Sequence, residues 1–308
     1  MAYGLYQCLP PGVLTIVVNT GDDLDYLGLR VSPDLDTVMY TLAGMASRTQ
    51  GWGIENDSHA CLDTLERYRQ LAWFRIGDRD LATHVLRTYL LSTGLSLTDC
   101  TRQLASALGI RAEILPMCNQ PVRTKVRTAE GELEFQEYFV KRGARDRALG
   151  LRYAGAEEAC LTSEVRRAIE QAEMVVICPS NPLLSVEPIL SIPGMRIKLT
   201  TTTAPCVAIS PIIGGKAVRG PAAKLLLELG HEATALGVAR HYRGLLNGFV
   251  LDREDAALEG EVRDLGQATM VTETLMTTER TKIRLAERVL AFGEELIACR
   301  AEPGPSSP

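Results

Sequence analysis

Four short apolar runs punctuate this chain: LTIVVN (14–19), AEILP (112–116), MVVICPS (174–180) and CVAIS (206–210). Each is too short for a buried helix and too uniformly apolar for a strand with one wet face, the pattern of parallel strands covered on both sides. Between them lie stretches with helical spacing and recognisable ends. Ser32 precedes Pro33, Asp34 and Asp36, which reads as a helix start with proline at its first position. A second helical pattern opens near Asp78 and runs through ATHVLRTYLLST to Gly94. Ser96-Leu-Thr-Asp99 has capping-box spacing, for a third helix that stops at Gly109. A long helix is expected over roughly 278–299. This alternation defines an α/β fold with a Rossmann-like, mostly parallel sheet flanked by helices, in one domain over 1–299. Residues 122–140 break the pattern by alternating polar and apolar around AEGE, which predicts a β-hairpin inside an insertion at about 120–160. Residues 300–308 are rich in Pro, Ser and Gly, and disorder is expected there.

The totals exclude several classes. A formal net charge of -5 on 308 residues argues against a general nucleic-acid binder. No apolar run reaches the length of a membrane span, and MAYGLYQCLPPG lacks the layout of a signal peptide. The eight cysteines contain no zinc-type pair, and several lie in apolar runs, so buried free thiols in a reducing cytoplasm are expected.

The chemistry gathers in loops that follow the expected strands, where parallel sheets bind ligands. NTGDD (19–23) leads into SPDLDT (32–37), and CPSNPLLSVEPILSIPG (178–194) and SPIIGGKAVRGPAAK (210–224) follow later strands; DREDA (252–256) is a weaker fourth. Gly214, Gly215 and Gly220, with Lys216, Arg219 and Lys224, could cradle phosphate through backbone N–H groups, or form a solvated basic loop. Ser180 and Asn181 either cap a helix or contact a ligand. Asp34 and Asp36 are explained by the dipole of their own helix. Asp22 and Asp23 are not, and beside an anion loop they suggest a divalent metal, magnesium rather than zinc given the oxygen-only donors. In RIGDRDLATH (75–84), His84 falls inside the helix pattern, where a structural hydrogen bond is the expected role.

Taken together, VVNTGDD…SPDLDTVMY, WGIENDS, RIGDRDLATH, SLTDCT, ILPM, PSNPLLSVEPILSIPG, SPIIGGKAVRGPAAK and TLMTT resemble the CofD family in order and spacing, from about residue 2 to 295. The resemblance implies a magnesium-dependent, homodimeric 2-phospho-L-lactate transferase of coenzyme F-420 biosynthesis. The terminal hydroxyl of the deazaflavin Fo would attack the phosphorus of a guanosine diphosphate-activated lactyl donor, or its enolpyruvyl or phosphoglyceryl analogue, and GMP would leave. By motif, Asp36 and Arg75 resemble the family's deazaflavin-contacting positions, with Asp36 orienting or deprotonating the hydroxyl. Ser180, Asn181, Gly214 and Gly215 would line the donor. The family pattern also begins with a strand and a GGTGGAK-type loop ahead of a helix; MAYGLYQCLPPG reads as that helix, so the first family strand is expected to be missing here. The alternative is a YvcK-like regulator that binds nucleotide-sugars without turnover, against which SPDLDTV and the arginine before IGD speak for the transferase.

Overall fold

The computed structural model describes residues 1–68, 73–218 and 222–301, which fall into two compact units. Residues 11–165 and 188–193 form one, and residues 1–10, 166–187 and those from 194 onward form the other.

In the first unit, strand Thr15–Val18 pairs in parallel with Glu113–Pro116. The helix Leu97–Ala107 packs on the latter strand and buries Leu97, Cys100 and Leu104. Its capping box forms as the spacing implies: Ser96 Oγ accepts from Asp99 N at 3.1 Å and donates to Asp99 Oδ2 at 2.6 Å. A tight hairpin, Leu24–Tyr26 with Leu29–Val31, turns at Leu27 and Gly28, both at positive φ (51° and 78°), the conformation that suits a two-residue hairpin turn. The helix Pro33–Leu42 begins where expected.

The insertion is a three-stranded antiparallel sheet with Arg123–Thr128 between Gly131–Glu134 and Gly150–Ala154. The hairpin ends at Glu134 rather than running to 140, and the chain turns helical over Glu137–Lys141. Phe135 stacks on Phe139 with ring centroids 5.4 Å apart, a four-residue spacing that a helical turn satisfies and a strand does not.

In the second unit, strands Ala268–Thr272, Gly248–Asp252, Cys206–Ile209 and Val175–Ile177 lie side by side in that order, all parallel. The long helix Glu279–Ala301 buries Leu285, Val289 and Phe292 against Val207, Ile209 and Val250. The helix Ala2–Cys8 packs along it. The parallel strands thus form two separate sheets among the described residues, instead of one continuous one. All eight cysteines are free, but Cys61, Cys160 and Cys299 are exposed, because they sit on outward helix faces and a loop rather than in apolar runs. No described helix is long and apolar enough to cross a membrane. Arg219, Gly220 and residues 302–308, to which the sequence assigned an anion loop and a disordered tail, lie outside the described residues.

Candidate functional site

In the first unit, the strand Thr15–Val18 runs into a turn at Asn19–Asp23 that is buried throughout. Gly21 is required there by space: a Cβ would stand 2.6 Å from Thr124 Oγ1 and 2.9 Å from Asn19 Oδ1. Asn19 organises the turn, accepting from Gly21 N at 2.7 Å and donating to Asp34 Oδ2 at 3.0 Å. Asp22 and Asp23 are 7% and 4% exposed, and the Oδ1 of each receives no hydrogen bond. Burial pushes the Asp22 carboxyl well above its usual range, helped by the nearby Asp34 charge. Burial also raises Asp23 to about 7, although Ser32 and the Arg123, Arg87 and Arg30 charges pull it back. Asp34 is raised by burial and by Asp36. Ser32 does not cap its helix; its hydroxyl donates to Asp23 Oδ2 at 2.8 Å. Two buried carboxylate oxygens without donors, in a nest of raised carboxyls, are the oxygen-only chemistry that a divalent cation satisfies. Asp22 and Asp23 fit magnesium on that ground.

Asp36, one turn into its helix, is 4% exposed and is gripped by Arg87. Nη1 of Arg87 donates to Asp36 Oδ2 at 3.1 Å and Nη2 to Oδ1. Arg87 is fully buried; desolvation works against its charge, but Asp36, joined by Asp23 and Tyr40, outweighs it and its pKa is raised. His84 lies between two carboxylates, with Nδ1 3.6 Å from Asp36 and Nε2 3.3 Å from Asp80. Asp80 also accepts from the Tyr40 hydroxyl at 2.7 Å. Burial works against its charge, but His84 and Tyr40 hold its carboxyl below the usual value. Burial, reinforced by the Asp36 and Asp80 carboxylates, drives the Tyr40 phenol far upward. Asp36, Asp80 and His84 have three potential ligand atoms within 4.8 Å of one another. The Arg87 guanidinium already occupies both Asp36 oxygens, so this trio is neutralised by the protein's own cation and offers a metal little.

Arg75 is exposed and has no ion pair among the described residues. The arginine that reaches Asp36 is therefore Arg87, which sequence reasoning passed over along with Tyr40, while Asp80 was noted only as part of the charged cluster in RIGDRDLATH. A signal existed. Asp80, His84 and Arg87 recur at four- and three-residue spacing, one polar stripe through a helix whose remaining length is largely apolar.

The other expected residues lie in the second unit. Asn181 caps the turn Pro182–Val186, its Oδ1 accepting from Leu183 N at 3.0 Å and Leu184 N at 3.3 Å. Ser180 is half-buried beside it. Gly214 and Gly215 are exposed and both hold positive φ, but the Gly214 N–H is already donated to Asp255 Oδ2 at 3.1 Å. A carboxylate therefore stands where an anion-cradling loop would place a phosphate. Asp252, at the end of strand Gly248–Asp252, fixes Thr274 by accepting from its N–H and hydroxyl at 2.7 and 2.9 Å.

A mixed α/β protein with a buried strand-end acidic turn and, one turn into a later helix, a buried arginine-held aspartate is the class that fold and site define. The family model described as 2-phospho-L-lactate transferase CofD matches residues 2–288. The chain belongs to the CofD family, a family of transferases. It is 43% identical over 291 residues to the 2-phospho-L-lactate transferase of Methanosarcina mazei, covering 93% of this chain and 94% of that one. It is also 40% identical over 301 residues to the phosphoenolpyruvate transferase of Streptomyces griseus, covering 96% and 95%. Among solved structures, a UPF0052 family protein (BH3568) of Bacillus halodurans shares the fold, with a TM-score of 0.60 at 16% identity over 94% of both chains.

Proposed function

We propose that this chain transfers a substituted phosphoryl group to the terminal hydroxyl of the deazaflavin Fo, in coenzyme F-420 biosynthesis. The donor is a guanosine diphosphate-activated three-carbon acid carrying a phospholactyl, phosphoenolpyruvyl or phosphoglyceryl group, and GMP leaves. Family membership supports the reaction class, and the names of its relatives divide between two of these donors. One observation carries the assignment of the acceptor site: Asp36 is buried and gripped by a two-point arginine fork, in the same unit as the Asp22 and Asp23 oxygens that lack donors.

In such transfers little covalent chemistry falls to the protein, and positioning with charge neutralisation dominates. Asp36 accepts the hydrogen of the attacking hydroxyl and points its oxygen at phosphorus. Arg75 contacts the deazaflavin. Asp22 and Asp23 would hold magnesium, which would supply charge neutralisation for a phosphorylated ligand when bound. Ser180, Asn181, Gly214 and Gly215 contact the donor, the Gly214 N–H being available only if Asp255 releases it. By family analogy the enzyme is a cytoplasmic homodimer.

Asp36→Asn tests the acceptor assignment. Turnover with Fo is expected to fall at least about 100-fold, the scale of general acid–base assistance, while guanosine nucleotide affinity stays unchanged. Full activity in that variant removes Asp36 from the chemistry.

A further inference from the structure

The helix Asp78–Ser92 is built inside out. Its only buried residues are Asp80, His84 and Arg87, while Val85, Leu86 and Tyr89 face outward at 51%, 44% and 62% exposure. A helix on a protein core ordinarily buries an apolar stripe. Burying ion pairs in its place rarely improves stability over well-packed aliphatic residues, so the arrangement calls for a reason beyond folding. The helix that faces this stripe supplies Asp36 and Tyr40, four residues apart on the same side.

The contacts form a bracket around one carboxylate. Arg87 donates to both oxygens of Asp36. His84 lies against Oδ2 of Asp36 and is held from behind by Asp80, which is itself held by the Tyr40 hydroxyl. The backbone is enlisted too, since the start of the helix is fixed by Asp57, whose carboxylate accepts from Arg79 N and Asp80 N at 2.9 and 3.0 Å. Arg87 is fully buried and cannot present its guanidinium to a substrate in solution. Its fork is planar, so two parallel hydrogen bonds fix the plane of the carboxylate, and each Asp36 oxygen retains a lone pair for a second donor.

Resting on the reading that Asp36 meets the acceptor hydroxyl, we propose that Arg87 is a positioning residue for Asp36, with His84 and Asp80 as its brace. Together they set the direction from which Asp36 accepts the hydroxyl hydrogen. The motif RIGDRDLATH thereby gains a purpose that Arg75 alone does not give it.

The test is a kinetic cycle on the full chain, with Arg87→Lys, Asp36→Asn and the double variant, assayed with Fo, magnesium and the three candidate donors. Lysine keeps the charge and loses the fork. Arg87→Lys is expected to lower kcat about 10- to 100-fold, the scale of a misplacement near 1 Å, with KM for the donor unchanged. In the Asp36→Asn background it is expected to have no further effect on kcat, since it acts only through that carboxylate. A purely structural role would slow both backgrounds alike, and that result overturns the proposal, as does an unchanged kcat in Arg87→Lys. Should Arg87→Lys fail to fold, Asp80→Asn is read in the same cycle, with a smaller loss expected in wild type and none in Asp36→Asn. If the wild-type chain turns over no donor, the transferase reading falls. Crystal structures of wild type and Arg87→Lys then decide the positioning claim: a reoriented Asp36 carboxylate upholds it and an unmoved one refutes it.

Discussion

At the scale of single residues, the acidic turn holds more charge than burial tolerates without help. Asp23, at about 7, has a folded pKa above its unfolded value near 3.9, so its contribution to stability is fully present below about pH 4 and is lost as pH rises through 7. Asp22 and Asp34 shift in the same direction. Without magnesium, Asp23→Asn is expected to melt several degrees higher than wild type at pH 8 and to show no such gain at pH 4. Magnesium is expected to raise the melting temperature of wild type at pH 8 and to leave that of Asp23→Asn nearly unmoved. Scanning calorimetry at the two pH values, with and without the cation, checks both. Equal magnesium effects on the two proteins would place the ion elsewhere.

Elements are held by devices that span long stretches of sequence. The start of the helix Asp78–Ser92 is capped by Asp57 from an upstream loop, while Asp78 in turn accepts from Ala60 N and Cys61 N at 2.9 and 3.0 Å, at the start of the helix Ala60–Arg67. Gly77 leaves the room for this: a Cβ on it would stand 2.1 Å from Asp57 Oδ2. Gly77→Ala and Asp57→Ala are each expected to lower stability by about 1 kcal/mol, the usual worth of a helix cap. Because both remove the same cap, the double variant is expected to lose little more than either single one. Additive losses in urea melts would mean that Gly77 has a separate role. Cap partners this distant have no local spacing rule, so sequence placed the helix at Asp78 without finding what holds it there. The Ser96–Asp99 capping box was legible because both partners lie within one turn.

For the molecule as a whole, four of the parallel strands and the α/β class were readable from apolar run length, and the insertion from its polar–apolar alternation, while the strand Ala268–Thr272 and the hairpin at Leu24–Tyr26 and Leu29–Val31 gave no such signal. The end of the insertion's hairpin was not readable, because the Phe135–Phe139 pair outweighs the strand alternation there. The candidate site was half legible. Asp22 and Asp23 stood out as excess charge near a strand end and Asp36 was marked by the family motif, whereas Arg87 resembles any surface arginine on a helix until its burial is known. Gly214 is the converse case: the loop composition suggested phosphate, and what sequence could not show is that its N–H is donated to Asp255. The measurement that tests the central claim most directly is mass spectrometry of the chain incubated with Fo, magnesium and the lactyl, enolpyruvyl and phosphoglyceryl guanosine diphosphates. The expected result is a phosphodiester of Fo with one of the three acids, released GMP in equal amount, and no product when magnesium is chelated. Retained guanosine nucleotide binding with no product from any donor would contradict the account and identify a nucleotide-binding regulator on the same fold.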